Sequence, residues 1–485
     1  MDALEYSNLD GLALSVKVKA GEVTANELST LALAGIEALN PRLNGVVEVF
    51  DDALEGLEEI NPTDAAFPGV PTLVKDFPFK KGRKAEFGSE FSKGFIATEN
   101  MGFYDRMCNA GIVTLGRTTS SEHGLAATIE TRLYGSTHNP WDLTRSTSGS
   151  SGGAAAMVAA GVVPFAQGSD GGGSIRNPAA CCGLVGLKPS RGRVSAAPYS
   201  NAPLSGIATG FMLTRSVRDC AALLDIMAGP YPGDFYEIPV PAQPFINEVV
   251  SPGRTLDIAL VCDTWSGLPV DPQILEATKK AASFLESQGH RIHLASPEFD
   301  YAKYLEAQKV IWCAHLYHSI KEMAEYLNRT PGPDNLQTTS LATYERGRRV
   351  SADEFLWSMA VYENVTRQVG EFLSRYDAMI TPTACILPEV LGTYDPDVAG
   401  GSVDDLFDQL APKESFTALF NASGHPAVSL PLAMSQEDLP IGVQVITNFA
   451  DEATLLQIAA ACEQEYQWHL RKPPIHFSDY KYGIS

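Results

Sequence analysis

The stretch from Arg145 to Ser195, RSTSGSSGGAAAMVAAGVVPFAQGSDGGGSIRNPAACCGLVGLKPSRGRVS, constrains this chain more than any other. Two Gly/Ser-rich loops flank a run that reads as a short helix, Ala154 to Ala160, followed by a short strand, Val162 to Phe165. Glycines at 149, 152 and 153, and again at 171, 172 and 173, permit positive φ and close backbone approach. Successive N–H groups freed in such loops form an anion nest. Serines adjoin both loops, at 150, 151 and 174. A nest beside a hydroxyl suits acyl transfer, because the tetrahedral intermediate puts a negative oxygen where donors must already point. Taken alone, the pattern also describes two tight turns.

The 485 residues are 45% hydrophobic and 19% charged, the composition of a globular chain with a sizeable core. The length allows up to about three domains, or one large α/β fold. The longest apolar run, Ala154 to Ala166, is broken by Gly161 and Pro164 and is shorter than the roughly 18 residues a membrane helix needs. The N-terminus shows no basic region ahead of an apolar block, so a cytoplasmic location is expected. The net charge of −22 disfavours nucleic acid and anionic membrane as partners. Cysteines at 108, 181, 182, 220, 262, 313, 385 and 462 form neither CxxC pairs nor a disulfide framework, and read as reduced, mostly buried thiols.

The first sixty residues read as helical: Thr24 and Glu27 make a capping box ahead of Leu28, Leu31, Leu33, Ile36 and Leu39, with Pro41 just beyond the end. From residue 69 short β-type runs alternate with helices, at Val70–Val74, Ile112–Leu115, Val162–Phe165, Ile258–Val261 and Ala378–Ile380. Helices are expected at 274–288, started by Asp271 and Pro272 and stopped by Gly289, and at 300–328 and 352–374. Six prolines between 230 and 252 suggest a linker or a strap, and the Asp/Gly-rich span 392–412 a solvated loop or lid. Residues 416–445 return to β-type runs, so strands from both ends of the chain are expected in one sheet. The fold class is α/β, with a central mixed sheet covered by helices on both faces.

A serine hydroxyl is a weak nucleophile without an adjacent base, and no Asp or His near these loops has an evident spacing to one. A lysine serves if burial leaves its amine neutral. Lys75 ends the apolar run Val70, Leu73, Val74 and precedes Asp76. By spacing alone it is equally a lysine snorkelling from a strand end.

The blocks GVPTLVKDF (69–77), SGSSGG (148–153) and GSDGGGSIRNPAACCGLVGLKPSRGRVS (168–195) resemble the amidase signature family of Ser/Ser/Lys hydrolases. The resemblance extends to SVRDCAALLDIMAG (216–229) and FNASGHPAVSLP (420–431), and so covers most of the chain as one domain, 1–485, with a signature core about 69–215. It implies Ser174 as the nucleophile, Ser150 as the bridging serine after a cis peptide bond, and Lys75 as the base. It further implies an oxyanion hole from the N–H groups of Gly171, Gly172, Gly173 and Ser174. Ser151 and Ser169 are expected as supporting hydroxyls, and Asp170 and Arg176 as braces of the loop. The implied activity is hydrolysis of a small molecule's C–N bond, amide, anilide or carbamate, with neither cofactor nor metal. Two positions depart from the family pattern: Ser148 stands where Gly is common, and Gly171 where Thr or Ile is commoner, which points to a wider acyl pocket.

Other readings have less support. Gly149 to Gly153 also satisfies G-x-S-x-G, which would make Ser151 the nucleophile of an α/β-hydrolase-type esterase, but HNPWDLTRST ahead of it reads as turn-like rather than as the strand such an elbow follows. Ser478 and Lys481 form an S-x-x-K near the C-terminus. A nucleotide-binding module lacks the Lys-Ser/Thr or G-x-G-x-x-G its loops would need. The pairs His290/His293 and His315/His318 lack a third metal ligand. A glutaminase subunit of a tRNA-dependent amidotransferase shares the family but would need partner subunits. The expected protein is a freestanding amidase of bacterial type with a homodimer as candidate assembly. Its pocket is expected from the helical region 300–375, the 392–412 loop and the strand near Thr381, with Cys313 and Thr381 as candidate lining residues.

Overall fold

The computed structural model describes residues 1–77, 79–239, 241–250 and 253–480. Pro252 and Lys481, both singled out above, lie outside them. An 11-stranded sheet organises the chain. From one edge it runs Val46–Val49, Val113–Thr118, Pro71–Lys75, Phe165–Asp170, Thr209–Thr214 and Val185–Lys188. It continues through Ala427–Met434, Pro440–Thr447, Ala378–Pro382 and Asp257–Leu260 to Arg291–Leu294. Pairing is parallel among Val113–Thr118, Pro71–Lys75 and Phe165–Asp170, and again among Ala378–Pro382, Asp257–Leu260 and Arg291–Leu294. The strands between are antiparallel, so the sheet is mixed, and strands from both halves of the chain share it, making one α/β domain flanked by helices.

The Thr24 capping box forms and opens Ala25–Leu43, whose buried Leu28, Leu31, Ile36 and Leu39 pack into the core. The helix passes through Pro41 rather than stopping before it. What ends it is Asn44, in the left-handed region at φ 48°. The N-terminal segment is therefore not wholly helical: the β-branched Val46–Val49 leaves it as an edge strand. Asp271 caps Pro272–Ser287, and the helices Tyr301–Leu327 and Ala352–Leu373 fall where periodicity placed them.

Four further expectations need correction. Val162 and Val163 close a turn after the buried helix Gly152–Ala159, and the strand begins only at Phe165 and runs to Asp170. Gly168 and Ser169 are thus held in the sheet, opposite Phe211 and Gly210. The segment before the first glycine loop is a small hairpin, His138–Asn139 with Asp142–Ser146, rather than turn alone. The acidic span 392–412 is not all loop, because Ser402 and Asp405 form a reciprocal cap that starts Val403–Glu414, with acids in its first turn favoured by the helix dipole. Phe416–Val445 contains a short helix, Ala418–Ser423, before its two strands. The proline-rich stretch is a strap, tied down by buried Phe245 and by Arg193 donating to the Pro239 carbonyl at 2.9 Å. All eight cysteines are free; Cys108 is exposed, Cys262 half-buried and the rest buried. No described helix is long and apolar enough to cross a membrane.

Candidate active site

Neighbouring parallel strands end at the same edge of a sheet, and Pro71–Lys75 and Phe165–Asp170 are such a pair, aligned at Leu73 and Ala166. Lys75, the last residue of its strand, is fully buried and is fixed by its N–H donating to Gln167 Oε1 at 3.1 Å. Its Nζ lies 2.6 Å from Ser150 Oγ and 2.9 Å from Ser169 Oγ, above the ring of Phe77. Burial lowers the amine from 10.5 to about 7, although the Asp170 and Asp76 carboxylates act in the opposite sense. Asp76, next in sequence, makes no hydrogen bond to the lysine amine; it accepts N–H bonds from Glu86 and Gly88 and pairs with Arg117. The amine is therefore neutral in a large fraction of molecules near pH 7.

Ser150 follows a cis peptide bond from Gly149. A Cβ at 149 would meet the Ala126 carbonyl at 2.5 Å, so no larger residue fits. Ser148 sits in the left-handed region at φ 60°, a conformation that explains why glycine suits this position. Ser151 is not presented to solvent: it is fully buried, donates to the Ser169 carbonyl and accepts from the Ser169 N–H, both at 3.2 Å. It ties the two loops together.

The second loop is braced from below. Asp170 pairs with fully buried Arg176 at 2.8 Å and also accepts the N–H groups of Ile175 and Arg176. Burial alone would raise this carboxyl, but Arg176 and Asn421 outweigh it and hold it at about 2. Arg176 also donates to the Thr417 carbonyl and to Gln444 Oε1, at 2.8 and 2.7 Å. The Gly172 carbonyl accepts from Thr417 Oγ1 at 2.6 Å. The backbone is thereby pinned through its carbonyls, and among the described residues the N–H groups of Gly171, Gly172, Gly173 and Ser174 donate to no protein acceptor. Gly173 has φ +149°, and a Cβ there would stand 2.4 Å from Asn177 and Thr417. Ser174 follows, 7% exposed, its hydroxyl without a protein partner among the described residues.

Ser150, Ser169, Gly171 and Ser174 share a cavity of about 230 Å³. Its other walls are mainly apolar and aromatic, with Phe77, Phe79, Phe87, Phe103 and Trp312 the largest side chains. None of its described lining residues is Asp, Glu, Lys or Arg. Two histidines reach it, and burial keeps both neutral: His123, stacked on Phe87, is lowered to about 3, and His315, 2.8 Å from Ser205 Oγ, to about 4.

The pocket expectations hold only in part. Helix Tyr301–Leu327 does supply a wall, through Trp312, His315, Leu316 and Ser319 at helical spacing. Cys313 lies off that face, its carbonyl against Gly347 of helix Thr338–Gly347 and its thiol raised to about 12 by burial. Thr381 is buried in the sheet, where its Oγ1 accepts from the Gln444 amide that also receives Arg176. Neither lines the cavity, nor does any residue of 392–412. The walls from 77–103, 123–125 and 196–210 were not anticipated; the phenylalanines of DFPF, EFGSEF and NMGF were a signal for the first of them only. His318 turns outward to Glu322, whereas His290 caps the Leu256 N–H and His293 pairs with Asp257. Ser478 is occupied locally by His476.

The Amidase family model matches residues 27–456. The 6-aminohexanoate-cyclic-dimer hydrolase of Paenarthrobacter ureafaciens is 33% identical over 479 residues, 96% of each chain. The structure of a 6-aminohexanoate cyclic dimer hydrolase complexed with substrate superposes with a TM-score of 0.91 at 31% identity, covering 97% of this chain and 99% of that one. A glutamyl-tRNA(Gln) amidotransferase component from Picosynechococcus is 31% identical over 487 residues, 94% of this chain and 98% of that one.

Proposed function

The chain belongs to the amidase family, hydrolases of carbon–nitrogen bonds other than peptide bonds, and we propose that Ser174 forms the acyl-enzyme, with Ser150 as proton relay and Lys75 as base. The observation that carries this reading is a buried amine, lowered to about 7, held 2.6 Å from Ser150 Oγ beside a loop whose four N–H groups donate to no acceptor among the described residues. Ser174 Oγ adds to the amide carbonyl while its proton passes to Ser150 and the Ser150 proton passes to Lys75. The carbonyl oxygen becomes an oxyanion facing the N–H groups of residues 171–174. Collapse breaks the C–N bond as Lys75 returns a proton through Ser150 to the departing amine. Water then attacks the ester by the same route, releasing the acid and restoring the Ser174 hydroxyl.

The cavity supports an uncharged, apolar or aromatic amide as substrate. Glutamine would bring an ammonium and a carboxylate to walls without counter-charges, and burying an unpaired ion is costly. A cyclic dimer of 6-aminohexanoate, whose amines and carboxyls are all consumed in amide bonds, meets the requirement, as do anilides. This favours a freestanding amidase over a component of an amidotransferase, and the free cysteines suit a reducing cytoplasm. The test is hydrolysis of an anilide, an aliphatic amide, an aryl carbamate, a cyclic lactam dimer and glutamine by wild type and Ser174→Ala. Turnover of any uncharged compound, lost in the variant, is expected. Turnover of glutamine alone would overturn the reading.

A further inference from the structure

Two elements meet at the wall of the cavity beside Gly171. Trp312 comes from helix Tyr301–Leu327 and Leu204 from the turn Pro203–Gly206, and each stands 3.2 Å from the point a Cβ on Gly171 would occupy. The helix is regular and the turn is not. Leu204, Ser205 and Gly206 have φ of +49°, +58° and +87°, three consecutive residues in the left-handed region. A Cβ crowds the following carbonyl in that region, so residues with side chains adopt it singly, and two in succession persist only where the surroundings hold them.

The restraints are identifiable. Downstream, Arg191 Nε donates to the Gly206 carbonyl at 2.6 Å and Asn421 Nδ2 to the Ile207 carbonyl at 3.0 Å. Both act beyond the two strained residues that carry side chains. At those residues the restraint is Ser205 Oγ, 2.8 Å from His315 Nε2. Among the described residues this is the one hydrogen bond between the turn and helix Tyr301–Leu327. His315 follows Trp312 by three residues and shares its helix face, and its ring stands edge-on to Phe355 at 6.1 Å. Successive residues of the turn are thus matched to one face of the helix, Leu204 beside Trp312 and the Ser205 hydroxyl on His315. Leu204 lines the cavity and Ser205 does not.

We propose that Ser205 and His315 are positioning residues for substrate selection: their hydrogen bond clamps the left-handed turn to the helix, keeps Leu204 seated beside Gly171, and so favours small amides over bulky ones at that wall. The proposal rests on the reading that this cavity receives the substrate. Its test is the ratio of kcat/KM for a small aliphatic amide to that for a bulky anilide. Ser205→Ala removes the hydroxyl of a residue outside the lining and is expected to lower that ratio by about 3–10-fold, the range one net hydrogen bond commands, mainly by raising KM for the small amide. Leu204→Ala should shift the ratio the same way, and Ser205→Ala added to it should change nothing further, because the clamp acts through Leu204. His315→Gln, which keeps a hydrogen-bonding group at similar reach, should stay near wild type, and His315→Leu should match Ser205→Ala; this pair carries the test should Ser205→Ala fail to fold. Dissociation constants of the same two compounds on a Ser174→Ala background require no turnover. A shifted ratio there, with no amide hydrolysed by the wild type, would leave the clamp standing and remove only the reaction proposed for Ser174. An unchanged ratio in Ser205→Ala, with or without a lower melting temperature, or shifts that add in the double variant, would overturn the proposal.

Discussion

Lys75 Nζ approaches Ser150 Oγ to 2.6 Å at the buried end of a strand, and that burial brings its pKa to about 7. The protonated amine accepts no proton, so kcat/KM should climb with pH through an apparent pKa near 7 and level off above pH 8. The sign for stability is the same. The folded lysine loses its proton near pH 7 and the unfolded one near 10.5, so the unfolded chain binds more protons between those values and this group favours folding increasingly as pH rises across that window. Lys188, also buried and lowered to about 7, adds a slope of the same sign. A pH–rate profile on a neutral anilide checks the first point, and activity confined to pH above 9 would contradict it.

The three serines should separate by experiment. Ser174→Ala is expected to abolish covalent labelling by a fluorophosphonate. Ser150→Ala should keep the fold and lose about 10²–10⁴ in kcat, because only the proposed relay is removed. Ser151→Ala should still be labelled but lose about 1–3 kcal/mol of stability, since the Ser169 N–H and carbonyl would lose their buried partner. Labelling that follows Ser151 instead would reverse the assignment.

Asp170 and Arg176 are both fully buried. Removing one partner of such a pair strands the other's charge, a loss of about 3–5 kcal/mol. Arg176→Met should therefore lower the urea midpoint sharply and depress activity with it, because Asp170 also holds the N–H groups of Ile175 and Arg176 that follow Ser174. A midpoint within error of wild type would show that the brace does not support the loop.

What the sequence disclosed follows from where its signals are local. Capping at Thr24 and Asp271 is written within four residues, and both helices begin as expected. The signature blocks name Lys75, Ser150 and Ser174, and the fold brings the first two into contact across 75 positions. The cavity walls are a different matter. Whether Trp312 or its neighbour Cys313 faces the pocket depends on how the helix is rotated, which packing against Thr338–Gly347 decides, and that helix carried no recognised signal. Thr381 shows the same limit: its place in the Gln444–Arg176–Asp170 chain depends on strand order, not on spacing.

Gly171 tests the origin of pocket size. Its backbone does not require glycine, since φ lies outside the positive region, yet a Cβ there would sit 3.2 Å from both Trp312 and Leu204. The indole fills the space a side chain at 171 would occupy, so the two positions set the cavity's width together. Gly171→Ala should cut kcat/KM for a bulky anilide by about 10-fold or more while sparing a small aliphatic amide, as an added methyl in an apolar pocket does. Trp312→Phe introduced beside it should restore much of the anilide activity by giving back the room. If Gly171→Ala slows both substrates equally and Trp312→Phe rescues neither, residue 171 acts through the loop's N–H geometry and not through pocket volume.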